Sequence, residues 1–196
     1  EDGQPDAIPP AYARNGAAAL SILTDSQYFG GSLDFLKKAR PLVDKPILRK
    51  DFVVDEYQLF EARLAGADAV LLIAADLKLQ EARALASMAH ELGLEVLMEL
   101  HSEDELDYAS LDVDMVGVNN RDLGTFHTDV QNSFRLSASL PQDRVLVSES
   151  GLGNPQTVML LRQAGFRGFL MGEHFMKADD PGMELARFIS GIGNTL

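Results

Sequence analysis

Short apolar runs recur along the chain, and each follows a glycine that ends an amphipathic segment. The clearest pairs are Gly16 before 18–23, Gly66 before 69–73, Gly93 before 94–98 and Gly165 before 168–171. A glycine at that place is typical of the end of a helix. A short, almost uninterrupted apolar run is typical of a strand that is buried on both faces. The chain therefore reads as a repeat of helix, glycine and buried strand.

This repeat predicts seven strands and the helices between them. The strands are predicted at 17–24, 46–50, 68–74, 94–100, 114–119, 144–149 and 168–172. Helical patterns occupy 55–65, 77–92 and 155–164, and 5–15 is a helical remnant ahead of the first strand. Regular alternation of this kind predicts a parallel sheet. Because a (β/α)8 barrel has eight strands and about 250 residues, we predict an α/β fold, a TIM barrel with seven of its eight strands in this sequence, as one domain over 1–196.

Composition and charge exclude several classes of function. The chain has no cysteine, which rules out a disulfide framework, a thiolate metal site and a thiol nucleophile. Its formal net charge of −13 argues against nonspecific nucleic-acid binding, which needs basic surface. No apolar run approaches the ~20 residues of a membrane span, and no signal peptide opens the chain. We therefore expect no nucleic-acid partner and no membrane partner.

Ionisable and amide side chains occur where the predicted strands end. These residues are Lys50, Glu99, Asn119 followed by Arg121, and Glu149. Barrel enzymes place their active sites at the carboxyl ends of the strands, so a lysine and two glutamates there suit acid–base chemistry. The alternatives are a structural ion pair that lines the barrel, a solvent-facing Glu99, and an Asn119 that caps a loop.

Glycines after the last two predicted strands suggest a phosphate site. Ser150-Gly151 and Gly172-Glu173 lie where barrels often bind phosphate through backbone N–H groups. His101 and His127 have no metal-ligand spacing and no apparent third ligand. We expect no metal and no cofactor.

Several motifs in this order resemble the indole-3-glycerol-phosphate synthase family. They are Asn-Gly-Ala-Ala-Ala-Leu-Ser-Ile-Leu-Thr-Asp at 15–25, Tyr-Phe-Gly-Gly-Ser at 28–32, Pro-Ile-Leu-Arg-Lys-Asp-Phe at 46–52, the run 61–74, Val-Asn-Asn-Arg-Asp-Leu at 118–123, Val-Ser-Glu-Ser-Gly at 147–151 and Phe-Leu-Met-Gly-Glu at 169–173. Together they span nearly the whole chain. The family closes the pyrrole ring of 1-(2-carboxyphenylamino)-1-deoxyribulose 5-phosphate, with loss of CO2 and water, in tryptophan biosynthesis.

The resemblance implies a role for each strand-end residue. Lys50 is the general acid that polarises or protonates the ribulose carbonyl and assists dehydration, and Glu99 is the general base or stabilises the cationic intermediate. Asn119 orients this pair and the substrate hydroxyls, and Glu149 contacts the anthranilate nitrogen or a sugar hydroxyl. The implied substrate-binding positions are Ser150, Gly151, Gly172 and Glu173 at the phosphate, and Phe29, Phe52, Arg121 and Leu123 around the anthranilate ring.

The chain departs from the family pattern at its start. The family has a Glu and a Lys on its first strand, a Ser-Pro-Ser loop and an N-terminal extension helix, and this sequence contains none of them. Residues 1–15 resemble the end of that loop running into the first helix. The resemblance thus implies an N-terminally truncated chain that lacks its first strand. We expect an open barrel, and little or no synthase activity from these 196 residues alone.

Two other functions remain open on the sequence. One is another phosphate-binding barrel enzyme such as a phosphoribosyl isomerase, although that chemistry often uses an Asp or Cys base. The other is a non-catalytic barrel fragment that serves as a scaffold. For the synthase we expect a small phosphorylated substrate and a cytoplasmic monomer, with association with other tryptophan-pathway enzymes left open.

Overall fold

A sheet of seven parallel strands forms the centre of the protein. The computed structural model describes residues 4–122 and 124–193, and the strands neighbour one another in sequence order. They are β1 Leu20–Leu23, β2 Ile47–Lys50, β3 Ala69–Ile73, β4 Glu95–Leu100, β5 Met115–Asn119, β6 Val145–Glu149 and β7 Gly168–Leu170. Each lies within three residues of its predicted bounds. The predicted α/β barrel-like fold is confirmed.

Helices connect the strands. The α-helices are α1 Ile8–Arg14, α2 Leu33–Ala39, α3 Glu56–Ala65, α4 Leu79–Glu91, α5 Gln131–Ser137, α6 Pro155–Gln163, α7 Glu173–Met176 and α8 Pro181–Gly193. Short 3-10 helices cover Arg40–Leu42, Ala74–Asp76 and Glu103–Ser110. The helices predicted at 55–65, 77–92 and 155–164 are present, whereas the pattern did not single out α5, α7 or α8. Among the described residues, no helix is long and apolar enough to cross a membrane.

Alternation along the strands separates two apolar layers. One set of strand side chains, including Val70, Val96 and Val116, packs between the sheet and the helices. The other set forms a small core inside the barrel, made of Leu48, Ala69, Leu71, Ile73, Leu97 and Val147. Because successive strand residues face opposite sides, the positions two residues beyond Leu48, Leu97 and Val147 also face inward. Those positions are Lys50, Glu99 and Glu149.

The barrel is open between β1 and β7. Within 4–122 and 124–193, no strand ladder joins these two strands. A cavity of about 480 Å³ lies along the opening and is lined by Leu20–Leu23 on one side and by Leu170 and Met171 on the other. The expectation of an open barrel is therefore confirmed.

Candidate active site

Three ionisable side chains from separate strands meet inside the barrel. The Nζ of Lys50, at the end of β2, lies 3.3 Å from Glu99 Oε2 on β4 and 3.5 Å from Glu149 Oε2 on β6. Both glutamates are 1% exposed, and the Lys50 side chain is 14% exposed. The barrel therefore brings together residues that lie 49 and 50 positions apart in the chain.

Glu99 has polar neighbours at both carboxylate oxygens. Its Oε1 accepts a hydrogen bond from Asn119 Nδ2 at 3.1 Å, and His101 Nε2 lies 3.1 Å from the same oxygen. Burial by itself raises the pKa of Glu99, but the Lys50 charge, His101 and Asn119 outweigh it and lower the pKa to about 2. Glu99 is thus a carboxylate throughout the physiological range.

Glu149 has the opposite electrostatic environment. Apart from the ion-pair contact with Lys50, neither carboxyl oxygen has a hydrogen-bond partner among the described residues. Burial, together with the negative charge of Glu99, raises the pKa of Glu149 to about 8, although Lys50 opposes this shift. For Lys50, burial lowers the pKa, but the two carboxyl groups outweigh it and raise the pKa above its usual value. At neutral pH the cluster therefore holds an ammonium, a carboxylate and a largely protonated carboxyl group.

Gly117 makes room for Glu149. It faces inward on β5, opposite Glu99 in the strand register. A Cβ at this position would lie 2.3 Å from Glu149 Oε1 and 3.2 Å from Leu97 Cδ1. The carboxyl group occupies the space that any larger side chain would fill.

An aromatic wall adjoins Lys50. The rings of Phe29 and Phe52 stack with centroids 5.0 Å apart and planes 12° apart. Lys50 Nζ lies 5.9 Å from the centroid of the Phe29 ring. The structure thus places two of the four residues expected around the anthranilate ring beside the general-acid candidate. Leu123, another of the four, lies outside the described residues.

The expected phosphate-binding positions line the same cavity as Lys50. The 480 Å³ cavity is bordered by Phe29, Lys50, Arg121, Ser150, Gly151, Gly172 and Glu173. Ser150 and Gly151 both have left-handed backbone conformations, with φ of 67° and 74°. A Cβ at Gly151 would lie 2.6 Å from Thr128 Cγ2, so the turn is accessible only to glycine at that position.

Arg121 lies beside the positions expected to bind phosphate. Its guanidinium contacts the Glu173 carboxylate, with Nη2 and Oε2 2.5 Å apart. Glu173 in turn contacts Lys177 at 2.6 Å. Among the described residues, no group of three or more His, Asp or Glu residues is arranged to hold a metal ion.

Sequence reasoning missed two features of the site. The sequence offers His101 only as a metal-ligand candidate without the required spacing, yet its ring lies 3.1 Å from Glu99. Asn120 was not singled out, yet its side chain connects Ser133, Ser148 and Ser150. The available signal for His101 was its position two residues after Glu99, which gives both side chains the same inward direction.

Comparison with known proteins identifies the family. The family model described as indole-3-glycerol phosphate synthase matches residues 1–188. The chain belongs to the indole-3-glycerol phosphate synthase family. The synthase of Bacteroides thetaiotaomicron is 60% identical over 192 residues, which are 98% of this chain and 74% of that protein. The synthase of Chromobacterium violaceum is 48% identical over 188 residues, covering 95% of this chain and 71% of the relative.

Solved structures support the fold of this synthase-family chain. The KGPDC structure from Streptococcus mutans in complex with D-R5P has a TM-score of 0.76 over 97% of this chain and 92% of that one, at 14% identity. A mutant tryptophan synthase alpha-subunit from Pyrococcus furiosus has a TM-score of 0.63 over 83% of this chain and 72% of that one, at 16% identity. At such low identity, these likenesses show the barrel architecture alone.

Family membership sets the reaction class. Indole-3-glycerol phosphate synthases are lyases of tryptophan biosynthesis that close a ring with decarboxylation and act on a small phosphorylated substrate. The resemblance found in the sequence motifs is confirmed, and it takes precedence over the phosphoribosyl isomerase alternative.

Proposed function

We propose that the cluster of Lys50, Glu99, Asn119 and Glu149 performs the ring closure of 1-(2-carboxyphenylamino)-1-deoxyribulose 5-phosphate. The observation that supports this assignment most directly is the meeting of one ammonium and two carboxyl groups from three strands within 3.5 Å. Their protonation states differ at neutral pH, which is the condition that combined acid and base chemistry requires.

The reaction makes three demands on the site. The ring carbon that bears the carboxylate attacks the ribulose carbonyl carbon, and the carbonyl oxygen takes up a proton. The ring system then holds a positive charge until CO2 leaves with its bond electrons returning to the ring. Finally the new hydroxyl departs as water and the adjacent carbon loses a proton, which completes the indole.

Each residue suits one of these demands. The Lys50 ammonium supplies a proton to the carbonyl oxygen. Glu99, kept as a carboxylate by its contacts with Lys50 and Asn119, stabilises the positive charge on the ring system, so of its two implied roles we favour this one. Glu149, with its pKa raised to about 8 by burial and by Glu99, is able to exchange protons with the substrate during dehydration. Asn119 fixes Glu99 through its amide.

The remainder of the cavity suits the two ends of the substrate. The Ser150-Gly151 turn and Gly172 bind the phosphate through backbone N–H groups in this proposal, with Glu173 at the same edge. Phe29, Phe52 and Arg121 surround the anthranilate ring. A cavity of about 480 Å³ lies within the range usual for small-molecule sites.

Replacement of Lys50 tests the assignment. We expect Lys50→Met to lower the rate of indole-3-glycerol phosphate formation by about 10²- to 10⁴-fold, the usual contribution of a general acid. The rate is measured by chromatography in single turnovers with protein in excess, so that slow chemistry remains measurable. Lys38→Met, which changes an exposed lysine on α2, is the control. An unchanged rate in Lys50→Met would refute the role.

We also propose a cellular setting for the protein. Residues 1–196 form a single barrel domain that acts as a cytoplasmic monomer, in keeping with a biosynthetic step on a small molecule. Association with other tryptophan-pathway enzymes is compatible with this proposal. Light scattering of the purified chain is expected to give the mass of one protomer, and a dimer mass would contradict it.

A further inference from the structure

His101 touches the proposed active site but has no part in the chemistry described above. It follows β4 two residues after Glu99, and its side chain is 12% exposed. Its Nε2 lies 3.1 Å from Glu99 Oε1, and its Nδ1 lies 3.8 Å from Glu105 Oε2. The ring therefore lies between the Glu99 carboxylate, which is part of the site, and the Glu105 carboxylate, which is not.

The backbone of His101 is fixed as well. The Glu105 carboxylate accepts a hydrogen bond from the His101 N–H at 2.5 Å. The His101 carbonyl accepts from Asn132 Nδ2 at 2.9 Å, and the same amide donates to the Asn119 carbonyl at 3.2 Å. Asn132 thus connects the two residues that approach Glu99 Oε1.

We propose that His101 is a positioning residue that holds the Glu99 carboxylate against Asn119 and Lys50, and that Glu105 holds His101 in place. The proposal rests on the active-site role assigned to Glu99 above. His101 itself does not touch the substrate in this account.

The distribution of donors explains why Glu99 needs this neighbour. Lys50 contacts Oε2, whereas Asn119 and His101 contact Oε1. Without the His101 ring 3.1 Å away, the neutral Asn119 amide would be the remaining contact of Oε1 among these residues. A buried carboxylate that loses a charged partner becomes easier to protonate, and its carboxyl group becomes freer to turn.

The charges around His101 favour its cationic form. The acidic groups that act on it are Glu99 on β4, Glu105 in the 3-10 helix at 103–110, Asp76 at the end of the 3-10 helix at 74–76, and Asp122 after β5. Lys50, the cation of the cluster, contacts Glu99 through the other carboxylate oxygen. Burial lowers the pKa of His101, but contacts with Glu105 and Glu99 outweigh it and raise the pKa to about 9.

Two variants of His101 separate positioning from simple packing. His101→Leu removes both ring nitrogens, and His101→Gln keeps an N–H donor that can reach Glu99. We expect His101→Leu to lower the single-turnover rate about tenfold, the scale of losing one polar contact to a charged group, with less than about a twofold change in substrate dissociation constant. The acid limb of its pH–rate profile is expected to move to higher pH, and His101→Gln to recover most of the rate.

A matched control lies at the other end of the barrel. His90, on α4, contacts the Asp114 carboxylate at 2.9 Å ahead of β5. His90→Asn removes a comparable histidine–carboxylate pair outside the site, so the rate and the acid limb are expected to stay unchanged.

Nitrogen-15 NMR of the histidine rings tests the same proposal without a measurement of enzyme activity. The chain has four histidines, so single substitutions assign the signals. We expect both His101 ring nitrogens to be protonated at pH 7.5. We also expect Glu99→Gln and Glu105→Gln each to lower the pKa of His101. A His101 pKa near 6.5 in the unmodified protein would overturn the proposal, even if His101→Leu failed to fold.

The kinetic outcomes distinguish this proposal from the proposed function. If Glu99→Gln slows the reaction but His101→Leu leaves the rate and the acid limb unchanged, His101 is a packing residue and the positioning proposal is wrong. If Glu99→Gln itself has no effect, the proposed function fails first.

Discussion

Glu99 and Glu149 are the same residue type inside the same barrel, yet their pKa values move in opposite directions. Burial raises both, but Lys50, His101 and Asn119 act together to lower the pKa of Glu99, whereas at Glu149 the negative charge of Glu99 opposes the effect of Lys50. The sequence places both glutamates at strand ends and so predicts that they meet. It does not predict which one is ionised, because that depends on donors that the fold brings from distant segments.

Gly117→Ala tests the space that Glu149 occupies. A Cβ there would lie 2.3 Å from Glu149 Oε1, so the carboxyl group has to shift from its position beside Lys50. We expect the single-turnover rate to fall by tenfold or more. Gly193→Ala, where no heavy atom lies within 4 Å of the added carbon, is the control. A Gly117→Ala protein with the original rate would show that the position of Glu149 is not critical.

The raised pKa of Glu149 predicts a particular pH dependence of stability. Burial and Glu99 raise the pKa from 4.5 to about 8 on folding, so between these values the folded protein binds more protons at this site than the unfolded chain. The raised pKa of Glu149 therefore stabilises the folded protein fully below pH 4.5, and this stabilisation is lost as the pH rises through 8. Burial lowers the pKa of His101, but contacts with Glu105 and Glu99 outweigh it and raise the pKa to about 9. The stabilisation that His101 contributes is therefore also lost as the pH rises, between 6.5 and 9.

Glu149→Gln isolates the contribution of Glu149. We expect the melting temperature of this variant to fall less than that of the original protein between pH 5 and pH 8. Thermal melts across this range give the comparison directly. Parallel curves for the two proteins would mean that Glu149 is ionised at neutral pH.

At the scale of elements, the strands were predictable and several helices were not. Buried strands such as β3, in which all five residues are buried, appear in the sequence as unbroken apolar runs. In α5 the buried residues are Ser133 and Leu136, so a serine replaces one of the apolar residues that would reveal the helical period. Helix α7 has four residues, which is too short for any periodic pattern.

The buried serine in α5 belongs to a polar network that reaches the Ser150-Gly151 turn, where we propose that the phosphate binds. Asn120 donates to the Ser150 carbonyl at 3.1 Å and to Ser148 Oγ at 3.2 Å. Its side-chain oxygen Oδ1 accepts a hydrogen bond from Ser133 Oγ at 2.8 Å. The network therefore fixes Ser150, a non-glycine residue with a φ of 67°, next to Gly151.

Asn120→Ala is expected to weaken binding more than chemistry. Without the bond to Ser150, we expect the dissociation constant of indole-3-glycerol phosphate to rise about tenfold, with a smaller change in the single-turnover rate at saturating substrate. Isothermal titration calorimetry measures the affinity. Asn15→Ala, which removes a side-chain bond to Ala11 on α1, serves as the control. Unaltered affinity in Asn120→Ala would contradict the role of the network.

For the whole molecule, the sequence pattern predicts both the barrel and its opening. Seven strands arise from the repeat, and the structure leaves β1 and β7 unpaired with each other among the described residues. The opening also explains the alternating burial along β1. Leu20 and Ile22 are buried against helices, whereas Ser21 and Leu23 are exposed. The alternating pattern predicts which side chains face inward, but their hydrogen bonds follow from the packed barrel.

The most direct test of the account is the rate of product formation by Glu99→Gln, measured together with product binding. In single turnovers with protein in excess we expect the original protein to convert the substrate slowly, in keeping with the low activity expected from the sequence, and to form indole-3-glycerol phosphate and CO2 in equal amounts. Glu99→Gln is expected to slow this by about 10²-fold or more, while indole-3-glycerol phosphate still raises its melting temperature. Product formation at the original rate in Glu99→Gln, or no thermal shift with product in the original protein, would contradict the account.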